Sequence, residues 1–116
     1  MNYSKFIQVN KQDLKKINEF ESVNFFRHDL VHYWIWILVL ETNYSNIFYN
    51  LEDIIQIIPS KLSSRVSIFR IVDNAVKKKY LIKEKNNLDK RKFNIIPTQQ
   101  TIKEFEGWVK IYKGLD

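Results

Sequence analysis

Apolar residues recur at helical spacing along most of the chain and give way to short extended runs near residues 47–50 and 80–97. Leu14, Ile17 and Phe20 or Val23 keep a helical period, which predicts a first helix capped by Asn10, with Asp13 at the favourable end of its dipole. From about Asn24 to Glu41 the chain is apolar nearly all round. This reads as a buried central helix that "TNYSN" breaks. "IFYN" suits a short strand or extended link, and "LEDIIQIIP" a short helix stopped by Pro59. Ser60 and Ser63 offer turn or N-cap chemistry for a longer helix from about Leu62 to Lys79. "YLIKEK" and "RKFNII" then read as two strands joined through "NNLD", whose Asn and Asp tolerate hairpin dihedrals. Pro97 ends the second strand. Thr98 or Thr101 caps a last helix, Thr101 having capping-box spacing to Glu104. The apolar stripe of that helix is Ile102, Phe105, Trp108, Val109 and Tyr112.

Four helices, a two-stranded hairpin and a final helix make a mainly α (α+β) chain. A helix pair followed at once by a basic β-hairpin predicts a winged helix-turn-helix, flanked by N- and C-terminal helices. One domain spans 1–116. About 24–97 would form a DNA-binding lobe, and about 1–23 and 98–116 would be terminal dimerisation helices. The last helix lies beyond the wing with more aromatic surface than so short a chain readily buries. Its stripe is therefore expected to meet Leu14, Ile17 and Phe20 of the first helix across a two-fold axis.

Composition narrows the function classes. The 116 residues include no cysteine, which excludes disulfides and thiolate metal sites. His28 and His32 stand four apart, a two-ligand spacing without a third partner or an HExxH pattern; a helix-surface or polar core pair is the simpler reading, and no cofactor is expected. No nucleophile–base pairing or Gly-rich phosphate loop points to an enzyme. The most apolar run, "LVHYWIWILVL", is about half of the ~20 residues a membrane span needs, and the start lacks a signal-peptide pattern. A cytoplasmic protein without a membrane partner is expected. The net charge of +6 is unevenly placed: Lys61 to Lys92 holds eleven Lys/Arg against three Asp/Glu, a net of +8, and the remainder holds eight against ten. Such a local excess suits a polyanion, nucleic acid first and an anionic membrane surface second.

On a helical wheel, Ile68, Phe69, Ile71, Val72, Ala75 and Val76 share one arc of the long helix and should pack inward. Ser63, Ser67, Arg70, Asn74 and Lys77 share the other, with Val66 beside them; Ser64 and Arg65 belong to the same candidate recognition surface. Arg can fork onto guanine, Asn onto adenine, and Val can touch a thymine methyl. In the hairpin, Lys83, Lys85, Lys90, Arg91 and Lys92 would reach phosphates or the minor groove, with Asn86 and Asn87 at the tip. Asp89 would orient an arginine or close the turn by accepting backbone N–H bonds.

From "FRIVDNAVKKKYLIKEKNNLDKRKFNIIPT" the chain resembles the MarR/SarA family of winged-helix transcriptional regulators. The matching features are the Arg-x-x-Asp stretch from Arg70 to Asp73, the Asp-x-Arg signature of Asp89 and Arg91, and the exit through Pro97 and Thr98. The resemblance covers about residues 60–98 and extends back to about residue 28. The glycine common at the end of the family's recognition helix is missing near Lys79 and Tyr80. The resemblance implies a homodimer on pseudo-palindromic DNA, joined through its terminal helices. It also allows a small aromatic effector, for which Tyr33, Trp34 and Trp36 are candidate lining residues, with core packing as their simpler role. The expected function is a sequence-specific DNA-binding regulator, a repressor; the alternative is a winged-helix protein-interaction module.

Overall fold

The computed structural model describes residues 2–115. In chain order it contains α1 (Tyr3–Lys15), a 3₁₀ turn (Ile17–Glu19), α2 (Glu21–Phe26), α3 (Leu30–Ser45), α4 (Leu51–Ile57), α5 (Arg65–Lys77), β1 (Leu81–Lys85), β2 (Phe93–Pro97), α6 (Gln99–Ile111) and a second 3₁₀ turn (Lys113–Leu115). The strands pair antiparallel, with Leu81 opposite Pro97 and Lys85 opposite Phe93. The "IFYN" segment is extended and adds a partial third strand. There, Asn50 bridges to Asn94, and the Ile95 amide donates to the Tyr49 carbonyl at 2.8 Å. This is a winged helix-turn-helix with flanking terminal helices: α4 and α5 form the helix pair, and β1–β2 the wing.

Four helix boundaries differ from the sequence reading, each for a capping reason. α1 begins at Tyr3, where the Asn2 side chain accepts the Lys5 amide at 3.0 Å. Asn10 lies within the helix and donates its side-chain amide to the Phe6 carbonyl. Asp13 therefore sits in the last turn rather than the first. The expected helix over Asn24–Glu41 is two helices, because the Asp29 side chain accepts the His32 amide at 2.9 Å and restarts the chain as α3. α3 then continues past Glu41 to Ser45 and stops at Asn46, whose φ of 57° is left-handed. α5 is capped by Ser64, which accepts the Ser67 amide, while Ser60 lies in the preceding turn.

The core gathers at the junction of α2, α3, α5 and the sheet. Phe26 stacks on Trp36 at 6.1 Å, and Ile35, Val39, Ile54, Ile68, Val72, Ala75, Leu81 and Ile95 close around them. The wheel assignment of α5 holds for Ile68, Val72 and Ala75, which are buried, and for Ile71 and Val76, which are partly so. It fails for Phe69, which is 47% exposed; the Lys83 ammonium lies 5.9 Å from its ring centre and covers part of it. Phe69 stands at the edge of the apolar arc, where a basic wing residue rather than the core meets it.

α6 is fastened to the rest by side chains from distant positions. Thr98 caps it, accepting the Thr101 amide, and buried Thr101 donates its hydroxyl to the Tyr80 carbonyl at 2.7 Å. Glu104 does not complete a capping box with Thr101. It accepts the Ser22 amide at 2.7 Å and the Ser22 hydroxyl at 2.6 Å, so α6 supplies the cap that Phe20 cannot give α2. Phe20 lies against Gly107, where a Cβ would come within 2.8 Å of its ring.

Candidate DNA-binding face

α5 presents one face to solvent because its opposite face holds the core. Ser67, Arg70, Asn74 and Lys77 are all exposed on it, with Val66 alongside. Among the described residues, the side chains of Arg70 and Asn74 make no hydrogen bond or ion pair; they stand four apart, hence adjacent on one face. The remaining candidates have internal partners. Ser64 is the cap and donates its hydroxyl to that of Ser67 at 3.0 Å. Ser63, half-buried, donates to the Ser64 carbonyl. Lys77 pairs with Asp73 at 3.0 Å. Arg65 forks onto Glu52 of α4 at 2.9 and 2.6 Å. Those hydrogen bonds hold the Glu52 carboxyl below its ordinary value and push Arg65 up. Arg65 thus braces the helix pair, a role hidden in the sequence because its partner lies on another element.

In the wing, Lys83, Lys85, Lys90, Arg91 and Lys92 are all exposed. Asp89 accepts the Arg91 amide at 3.1 Å and Arg91 Nε at 3.3 Å, combining the turn-closing and arginine-orienting roles expected of it. The backbone bond from Arg91, then its side chain, hold the Asp89 carboxyl below its ordinary value. Asn86 builds the turn: its Oδ1 accepts the amides of Leu88 and Asp89, and its Nδ2 donates to Asn94. Asn87 is exposed beside it.

A carboxylate cluster joins the terminal helices to this lobe. Asp13, 2% exposed, accepts Arg27 Nη1 at 2.8 Å, Trp108 Nε1 at 2.9 Å and the Tyr112 hydroxyl. Burial pushes its carboxyl up, but the bonds from Tyr112, Trp108 and Arg27, with the Arg27 charge, together hold it below its ordinary value. Burial and the bond to Asp13 push the Tyr112 phenol up to about 12. Helical spacing gave no hint of this joint, since Asp13 and Trp108 are far apart in sequence.

The joint changes the picture of the expected dimer residues. Trp108 and Phe105 pack on Trp36 of their own chain at 5.4 and 5.5 Å, Tyr112 on Asp13, and Phe20 on Gly107. Ile17 and Ile102 are half-buried. Leu14 and Val109 remain exposed, joined on α1 by Tyr3, Phe6 and Ile7. Those three were missed because α1 was expected to begin at Asn10, although they continue its apolar period.

Among the described residues no helix is long and apolar enough to cross a membrane. Among the described residues, no group of three or more His, Cys, Asp or Glu is placed to hold a metal. His32 Nδ1 instead meets Asp29 at 2.8 Å, with the His28 ring 5.1 Å away.

The folded class is the winged helix-turn-helix. No protein-family model and no curated protein matches the chain. Among solved structures it is similar to S. aureus MepR bound to ethidium bromide, with a TM-score of 0.63, 15% identity, and coverage of 99% of this chain and 77% of that one. A transcriptional regulator from Thermotoga maritima gives 0.59 at 8% identity, covering 97% and 75%. Wild-type MarR from E. coli in its apo form gives 0.51 at 15% identity, covering 96% and 76%. The chain has the MarR-type winged-helix fold.

Proposed function

We propose that this chain is a double-stranded DNA-binding transcriptional regulator that acts as a homodimer on a pseudo-palindromic site. The observation that carries the reading is the pairing of Arg70 and Asn74, exposed and without internal partners on α5, with a basic wing whose Asp89 holds Arg91. Arg70 and Asn74 would read base edges in the major groove. Lys77 and the wing residues Lys83, Lys85, Lys90, Arg91 and Lys92 would contact phosphates or the minor groove. Ser63, Ser64 and Ser67 lie where the helix N-terminus would approach the backbone, and Arg65 forks onto Glu52 of α4. The likeness of the fold to structures of transcriptional regulators supports this reading. Repression is the mode we favour, by occupancy of a site that two copies straddle.

The exposed apolar residues of α1, Tyr3, Phe6, Ile7 and Leu14, with Val109 of α6, would form the contact between copies. A small aromatic effector would not sit against Trp36, which is fully buried between Phe26, Phe105 and Trp108. It would instead enter the open recess of about 560 Å³ lined by Tyr44, Phe105, Val109 and Tyr112. Selection from random duplex DNA tests the reading. Recovery of a two-fold-related motif supports it; no enrichment, with no salt-sensitive binding to any duplex, would leave a protein-interaction module.

A further inference from the structure

Leu88 is 98% exposed, more than any other large apolar side chain among the described residues. Single exposed leucines are ordinary on protein surfaces. This one stands at the tip of the wing, on a turn that is closed at its base and held from within. The Asn86 amide donates to the Lys92 carbonyl and the Lys92 amide to the Asp89 carbonyl, each at 3.0 Å. Asn86 Oδ1 accepts the Leu88 amide itself at 2.8 Å. The backbone bearing Leu88 is therefore fixed, and its side chain is directed away from all of the core. Around it along the tip are exposed Lys85, Lys90, Arg91 and Lys92.

Resting on the DNA-binding reading, we propose that Leu88 is an apolar wedge that enters the minor groove and opens a base step. The flanking cations supply the attraction that brings the tip to the phosphates. A charged or polar tip can line the groove but gains nothing between stacked bases, whereas leucine gains by leaving water for the faces of two partly unstacked bases. The energy of opening depends on the step, and pyrimidine–purine steps open most readily. Leu88 thereby adds sequence preference outside the bases that α5 reads, through deformability rather than hydrogen bonding.

The test uses the full chain and a duplex recovered by selection from random DNA, with 2-aminopurine placed in turn at each step flanking the half-sites. Wild type should raise the fluorescence at one step per half-site. Leu88→Ser should remove that rise and weaken binding by roughly tenfold, the order expected for burying one leucine, and Leu88→Met should restore both. Leu88 touches no core residue, so the variants should melt as wild type does. If wild type binds but no step brightens, or if Leu88→Ser keeps both the rise and the affinity, the wedge is refuted while the DNA-binding reading stands. If wild type binds no duplex, both fail together.

Discussion

At the scale of single residues, the two arginines left for DNA should fail differently when removed. Arg70 reaches out from α5 with no internal partner, so Arg70→Ala should cost about 1–3 kcal/mol on the best site and relax preference at one position per half-site. A loss equal on all sequences, measured by competition between duplexes, would make Arg70 a phosphate clamp instead. Arg91 is held by Asp89 on the wing. Arg91→Ala should weaken binding to every duplex and flatten the slope of log K against log salt by about 0.9. Away from DNA, Asp13 contributes to acid stability. Its carboxyl titrates lower in the folded chain than in the unfolded one. Its contribution is therefore complete above the ordinary carboxylate value of about 4 and is lost as pH falls through the lower folded value. Asp13→Asn should destabilise by about 3 kcal/mol at neutral pH, because it leaves Arg27 facing a buried neutral group. The gap from wild type should narrow in melts run below about pH 4. A gap that does not change with pH would show that the Asp13 carboxyl titrates alike in the folded and unfolded chains.

At the scale of elements, α5 shows how much the sequence carries and where it stops. The apolar arc of Ile68, Val72 and Ala75 and the outward placing of Arg70 and Asn74 follow from a wheel alone, because both faces belong to one helix. The wing was equally legible, since alternation, a turn and the Asp89–Arg91 spacing are all local. The brace from Arg65 to Glu52, the cap that Glu104 gives to Ser22, and the anchoring of Trp108 on Asp13 were not legible. In each, the partner is distant in sequence, and only the folded chain brings the two together. The end of α5 is an intermediate case. The helix closes with the Tyr80 amide on the Ala75 carbonyl and the Lys79 amide on the Val76 carbonyl, which places Lys79 at a left-handed φ of 65°. This is the position where the resembling family often carries glycine, and here lysine bears the strain. Lys79→Gly should therefore raise stability by about 1 kcal/mol, read as a higher denaturant midpoint with unchanged m. A lower midpoint would mean that the gain in chain entropy on unfolding outweighs the relieved strain.

At the scale of the molecule, the terminal helices have an inner and an outer face. Their inner faces close on the lobe through Asp13, Phe20, Phe105 and Trp108, and their outer apolar residues remain in solvent. A pair of copies joined through Tyr3, Phe6, Ile7 and Leu14 would bury that surface and set two recognition helices about 34 Å apart, one turn of DNA. Tyr3→Glu with Ile7→Lys should yield a folded monomer in sedimentation at micromolar concentration, with its melting little changed and its binding to a two-site duplex weakened. If the double variant stays as associated as wild type, the contact lies elsewhere. The central claim is that this fold presents a cationic, base-reading face to duplex DNA. It is tested most directly by fluorescence anisotropy of wild type on a selected palindromic duplex across a salt series. Two copies should bind each duplex, with affinity that falls steeply with salt, by about 0.9 in log–log slope for each phosphate contacted. Binding that is absent from every duplex at low salt, or that ignores salt, would contradict it.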